Sequence, residues 1–285
     1  MNNQHTIAKD VDIKGVGLHT GNICHAIFKP SGPNTGITFV RTDLPGNPSI
    51  AALYSKVVGV IRGTTLGNDV MRVHTVEHML SALYALGVDN AVVEMTANEP
   101  PIVDGSTQVF YDSLKKVGLV DQNVPRRIFH PTEVFEYRQN ETIIRIEPAD
   151  ELILSVEISY PHPLIQQQKV SFTIQPDGYR ADIAPARTFC FDYEVEALKK
   201  QGLARGGSLD NAVVVGLDRI HNKEKKLRFP DEFARHKTLD LLGDLYLLGC
   251  RLTGHVTAVR PGHGHNTSFV KQLAERYLNK VSSVA

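Results

Sequence analysis

The spacing of apolar positions changes period several times along the chain. Residues 37–41 and 57–61 are short runs rich in β-branched side chains. Pro-Ser-Gly-Pro-Asn and Leu-Pro-Gly-Asn-Pro lie around them, so the pattern predicts strands separated by loops. Val73, Val76, Leu80 and Leu83 then recur at helical spacing, with Gly87 as a stop, which predicts a helix over 73–86. A strand over 91–95 and a helix over 106–117 follow, the helix with Ser106 as a candidate N-cap and Gly118 at its end. Between Asp121 and Arg127 the text turns polar around a proline, and we place a boundary there, dividing the chain into 1–125 and 126–285. The second half predicts strands over 132–137, 142–146, 153–158 and 170–174. A short helix at 192–201 and the glycine-rich LARGGSLDNAVVVG come next. A long helix over 231–248, a strand over 256–259 and a terminal helix complete it.

The two halves share a weak repeat. SALYALG (81–87) aligns with GDLYLLG (243–249), and the same register sets His74 opposite His236 and His78 opposite Asp240. Amphipathic leucine-rich helices produce such matches by chance, but the coincidence of polar, metal-capable residues favours duplication, two halves of one kind. Composition permits it: 285 residues, 42% apolar and 22% charged, suffice for two cores. A formal net charge of zero argues against nucleic-acid binding, which usually rests on excess Lys and Arg. Cys24, Cys190 and Cys250 are distant and odd in number, so no disulfide framework follows. The N-terminal MNNQHTIAKD has no hydrophobic signal region, and LDLLGDLYLLGC is too short and too acidic to span a membrane. A cytoplasmic protein without a stable membrane anchor is the expectation.

Candidate chemistry lies on the two long helices. His74-Thr75-Val76-Glu77-His78 matches the inverted zinc-protease pattern H-x-x-E-H. A catalytic zinc site takes three His or carboxylate ligands, and two of them commonly sit one helical turn apart. His74/His78 is one such pair and His236/Asp240 the other. His236, Asp240 and Asp244 form a polar stripe at i, i+4 and i+8 among leucines, where an unpartnered buried carboxylate would be costly. Two ligand sets remain open: His74 and His78 with a downstream glutamate, or His78 with His236 and Asp240. An ordinary solvated edge is the bland alternative to both. Glu77, next to His78, stands where a base for water would be wanted. His263, in PGHGHNTSF, reads as a loop imidazole that Asp244 could hold charged as a general acid.

At these residues the chain resembles the UDP-3-O-acyl-N-acetylglucosamine deacetylases, zinc amidases of lipid A biosynthesis in Gram-negative bacteria. The resemblance is carried by GVGLHTG (15–21), TVEHMLSAL (75–83), PPIVDGS (100–106), ARTF (186–189), GLARGGSLDNAVV (202–214), HKTLDLLGDL (236–245) and GH-x-x-N (262–266). It implies His78, His236 and Asp240 as ligands of Zn2+, or of Fe2+, which the same donors accept. It implies Glu77 as general base and His263, supported by Asp244, as acid. Thr188 would hydrogen-bond the tetrahedral oxygen, Lys237 would meet substrate oxygens or phosphate, Phe189 would pack on the sugar, and His19 would lie near the substrate. The implied fold is two similar α+β domains, each a sheet packed on two helices, of a kind also found in ribosomal proteins. Each domain carries an insert, and the second, about 185–215, forms a passage for an acyl chain. The implied reaction is hydrolysis of the N-acetyl amide, the committed step of lipid A biosynthesis, by a monomer acting on an acylated UDP-amino sugar. His74 would then be no ligand, His265 an extra histidine beside the acid, and Asp104 or Ser106 a cap on the following helix.

Two other readings make different demands. An inverted-motif metallopeptidase needs His74 and can dispense with His236 and Asp240. A non-catalytic duplicated RNA-binding-type domain needs no metal and tolerates loss of Glu77.

Overall fold

The computed structural model describes residues 3–277. Each half begins with alternating strands whose inward positions are apolar. Ile37, Phe39, Ala91, Val93, Ile144, Ile146, Val256 and Ala258 are all buried, one face of each strand at a time. The first sheet runs, edge to edge, Val11–Val16, Ile23–Pro30, Ala91–Met95, Ile37–Arg41 and Ser49–Ala51. The second runs Phe135–Gln139, Thr142–Glu147, Gly254–Val259, Leu152–Ser159 and Gln167–Thr173. In both, the strand order by appearance is 1-2-5-3-4, and only the pairing of the third strand with the fifth is parallel. The repeat seen in the sequence is therefore a repeat of topology, and the α+β duplication is observed.

Six α-helices are described. α1 (Glu77–Leu86) precedes the last strand of the first sheet and α2 (Gln108–Val117) follows it. α5 (Glu232–Tyr246) and α6 (His263–Tyr277) hold the same places in the second half. α2 packs on its sheet through Phe110 against Phe28, and α6 through Phe269 against Phe135. α1 and α5 meet each other where the halves join. All ten residues of α1 are buried, as are the leucines of α5, which explains why α1 and the leucine-rich part of α5 carry apolar side chains on more than one face. Tyr84 and Tyr246, equivalent in the repeat, cross edge to face with centroids 5.0 Å apart.

Each half carries its insert at the same point, between the fourth strand and the first long helix. The first contains Val57–Gly59, Thr65–Gly67 and Arg72–Val73, which pair as a small sheet. The second contains α3 (Pro176–Asp182), the strands Phe189–Phe191, Val213–Val215 and Ile220–His221, and α4 (Asp192–Lys200).

Several elements differ from expectation. The helix expected over 73–86 starts only at Glu77. Thr75 adopts φ 53°, a left-handed turn held by its hydroxyl donating to buried Glu99 at 2.9 Å, and Val73 lies in a short strand instead. The polar stretch near 121 is not a plain linker. Leu119–Pro125 is a strand pairing antiparallel with Asn3–Ile7. Val11–Val16, Ile23–Pro30 and α3 were not expected. His263 does not sit in a loop but opens α6, where the preceding proline and glycine end the connection from the last strand. The helix expected from 106 begins at Gln108 with Thr107 as its N-cap; Ser106, the expected cap, stands one residue further out, its Oγ accepting the Gln108 N–H at 3.2 Å.

Close approach of α1 and α5 depends on Gly243. A Cβ there would stand 2.1 Å from the Glu77 carbonyl oxygen and 2.7 Å from its carbon. Backbone cannot step aside as a side-chain tip can, so Gly243→Ala is expected to cost on the order of 3 kcal/mol, the upper range of overpacking. A thermal melt of the metal-free protein, showing a lower midpoint than wild type, checks it.

Candidate active site

The α1–α5 junction brings together side chains that lie far apart in the chain. His78, in the first turn of α1, faces His236 and Asp240 on α5, with the two imidazole centroids 5.2 Å apart. Asp240 Oδ1 lies 3.4 Å from His236 Nε2 and 3.9 Å from His78 Nε2. All three residues are buried, and one donor atom from each falls within 4.8 Å of the others. Donors about 2.0–2.1 Å from a tetrahedral zinc ion stand about 3.3 Å apart, so the three fit an ion between them. Asp240 Oδ1 finds no hydrogen-bond donor, an expensive state for a buried carboxylate unless a cation satisfies it. His236 Nδ1 donates to the Ala186 carbonyl at 3.2 Å, which leaves Nε2 with its lone pair toward the cluster.

The charge states suit ligation. Burial pushes the His78 imidazole down to about 3, with neighbouring His236 adding to the effect. Burial likewise lowers His236. Burial works against the Asp240 anion, but His236 and Lys237 outweigh it and hold the carboxyl below its ordinary range. Lys237 Nζ donates to Asp240 Oδ2 at 2.9 Å and lies 5.8 Å from the centre of the Phe189 ring.

Beside this cluster sits an acid–base pair. Glu77 is 2% exposed, and burial raises its carboxyl well above the usual range. His263 Nε2 lies 3.8 Å from Glu77 Oε1 and 3.9 Å from Asp240 Oδ2. Its other nitrogen donates to Asp244 Oδ2 at 3.0 Å. Burial alone would lower His263, but Asp244 and Glu77 together raise it to about 9. Asn266, one turn into α6, donates to the same Asp244 oxygen at 2.9 Å.

These groups line a cavity of about 200 Å³ together with Leu18, Arg62, Thr75, Thr188 and Phe189. A second cavity of about 250 Å³ shares Leu18, Arg62, Thr188 and Phe189 with the first. It continues between Val195 and Leu198 of α4 on one side and Val214 of the insert strand, with Ala212 just before that strand, on the other, a mostly apolar path. His19 lines this second cavity, its Nε2 against the Arg62 carbonyl at 3.2 Å, and burial keeps it below the ordinary histidine value.

The ten residues to which the resemblance gives a role in binding or catalysis all border one or other of these cavities or, for Asp244, support a residue that does. His74 does not join them. The turn at Thr75 takes it off the helix, so His74 and His78 are not one turn apart on a common face. Its Nδ1 meets Thr65 Oγ1 at 3.0 Å. His236, its repeat partner, reaches the cluster because α5 begins at Glu232, earlier in the repeat than α1. His265 points elsewhere, to the Tyr137 hydroxyl at 3.0 Å.

Three contributors had no sequence signal. Glu99, fully buried, accepts from the backbone N–H groups of His19 and Thr20 and from the hydroxyls of Thr20 and Thr75. It thereby ties the GVGLHTG loop to the start of α1. Arg62 borders both cavities and pairs with Glu194 of α4 at 2.6 Å. Thr64 touches both Glu77 and Asp244.

Comparison with known proteins gives a consistent result. The profile of the family described as UDP-3-O-acyl N-acetylglycosamine deacetylase (LpxC) matches residues 4–275. A UDP-3-O-acyl-N-acetylglucosamine deacetylase of Bdellovibrio bacteriovorus is 42% identical over 270 residues, covering 95% of this chain and 89% of that protein. One of Phenylobacterium zucineum is 42% identical over 278 residues, covering 96% and 94%. A bifunctional LpxC/FabZ enzyme of Chlorobaculum tepidum is 39% identical over 297 residues, and there the match covers 95% of this chain but 64% of the relative.

Proposed function

This chain belongs to the UDP-3-O-acyl-N-acetylglucosamine deacetylase family, and from that premise we propose that it hydrolyses the N-acetyl amide of a UDP-3-O-acyl-N-acetylglucosamine. The products would be acetate and the free 2-amino sugar nucleotide, as the committed step of lipid A biosynthesis. The observation that carries the proposal is the buried His78–His236–Asp240 cluster with Glu77 and His263 on one side of it. His78, His236 and Asp240 would hold Zn2+ or Fe2+, which when bound would polarise the acetyl carbonyl and lower the pKa of water.

The chain's own groups supply the rest. Glu77, raised by burial, is tuned to take a proton near neutral pH, and would accept it from the attacking water. His263, kept charged by Asp244, would give a proton to the leaving nitrogen. The Thr188 hydroxyl borders the same cavity and would donate to the developing oxyanion. Lys237 and the Phe189 ring face the cavity as a cation and an apolar plate, suited to substrate oxygens or phosphate and to a sugar face. The adjoining apolar cavity would receive the acyl chain, past His19. No described helix is long and apolar enough to cross a membrane, and the described cysteines are free. As part of the same reading, the enzyme would act in the cytoplasm as a monomer on its acylated substrate.

The test is release of free amine and acetate from UDP-3-O-acyl-N-acetylglucosamine by metal-replete protein. Product formation supports the reading. Absence of product with metal confirmed bound would refute it.

The pH profile carries a further expected result. His263 stays protonated up to about 9, so a step that needs its proton runs below that pH and fades as pH rises through it. Asp244 is the largest influence raising His263. Asp244→Asn is therefore expected to move the alkaline limb of kcat/KM to lower pH, read from rates measured across pH 6–10. An unmoved limb would assign that titration to another group.

A further inference from the structure

Thr64 is fully buried in the first insert, between the strand Val57–Gly59 and α1, and none of its polar groups is idle. Its N–H donates to Glu77 Oε2 at 2.9 Å. Its carbonyl accepts from the Val76 N–H at 3.2 Å, immediately before Glu77. Its hydroxyl donates to Asp244 Oδ1 at 2.5 Å and passes 3.3 Å from His263 Nδ1. One residue of the first half thus touches the candidate base and the carboxylate behind the candidate acid, across the junction of the halves.

We propose that Thr64 is a positioning residue, whose hydroxyl locks the Asp244 carboxylate so that His263 presents Nε2 to the cavity. The proposal rests on the deacetylase reading for its kinetic consequences. A carboxylate only accepts hydrogen bonds, so the Thr64 hydroxyl must supply the proton in this contact. With Oδ1 engaged by Thr64, and Oδ2 by His263 and Asn266, the Asp244 carboxylate has no freedom to rotate. Its orientation fixes the proton of His263 on Nδ1, and so fixes which nitrogen faces Glu77 and Asp240. The backbone half of the arrangement is independent of side chain. Gly63 leaves room for it, since a Cβ there would come 3.0 Å from Glu77 Oε1. Substitutions at Thr64 therefore test the hydroxyl alone.

The experiment compares Thr64→Val, which keeps the shape and removes the donor, with Thr64→Ser, which keeps the donor. Thr64→Val is expected to lower kcat by about 10–100-fold, the usual loss when an outer partner of a site is removed. KM and metal content should change little. Thr64→Ser should recover most of the rate. In an Asp244→Asn background, Thr64→Val should add almost nothing, because the hydroxyl acts through that carboxylate. A readout free of activity is the His263 ring proton in 15N-labelled protein. Its Nδ1–H signal should be protected from exchange in wild type, exchange faster in Thr64→Val and be regained in Thr64→Ser. Thr64→Ala serves the same comparison should valine not fold. An unchanged ring proton in Thr64→Val, or a serine variant as impaired as the valine one, overturns the proposal. Failure of wild type to release amine would overturn the deacetylase reading instead, and the ring-proton comparison would still decide the role of Thr64.

Discussion

Alanine at His236 is expected to abolish amide hydrolysis and strip the protein of its metal, while alanine at His74 leaves both within about threefold of wild type. The contrast follows from geometry. His236 Nε2 is 3.4 Å from Asp240 Oδ1, with its other nitrogen fixed by the Ala186 carbonyl. Removing it leaves His78 and Asp240 as a two-donor site, one short of the three that a catalytic metal usually takes from protein. Loss of a direct ligand should weaken metal binding by more than the ~10–100-fold seen for outer partners. His74 instead bonds to Thr65 off the helix. Metal content after dialysis, measured beside amine release, decides it. An essential His74 with a dispensable His236 would restore the metallopeptidase reading.

That contrast marks what the sequence could show. His236, Asp240 and Asp244 were legible because α5 is regular there and i, i+4, i+8 project on one side. His74/His78 has the same spacing, but the spacing misleads because a single left-handed residue, Thr75, ends the regular chain between them. What holds Thr75 is Glu99, over twenty residues away, so no local pattern could reveal it. Thr64 escaped for the same reason, since its partners are Glu77 and Asp244 and its own neighbours carry no periodicity.

The fold divides in the same way. Strands with one apolar face, such as Ile37–Arg41 and Ala91–Met95, announce themselves by alternation. Leu119–Pro125 buries none of its residues, and its place is set by pairing with Asn3–Ile7 at the other end of the half, so it reads as polar linker. The duplication was visible at SALYALG and GDLYLLG because α1 and α5 pack on each other and share one requirement, an apolar surface on more than one face. Their equivalent positions His78 and Asp240 meet across the junction for the same reason.

Glu77→Gln is expected to lower kcat by about 10²–10⁴-fold, the range for loss of a general base, with metal retained. Glutamine keeps the size of the side chain and an oxygen to accept the Thr64 N–H, so the loss measures proton transfer and not packing. The same change should stabilise the metal-free protein at high pH, and the sign can be worked out. Burial raises the Glu77 carboxyl in the folded state above its value in the unfolded chain. The folded state therefore holds the proton more tightly, and wild-type stability falls as pH rises from the unfolded value through the raised one. Glutamine has no such titration, so its melting midpoint should exceed that of wild type at pH 8 and converge with it near pH 4. A gain of about 1 kcal/mol corresponds to ~2 °C for a protein of this size. Rates with metal-loaded protein and melts with metal-free protein give the two halves of the result. A variant that loses activity without gaining stability at pH 8 would mean that Glu77 is ionised in the metal-free protein, with its charge met by His263.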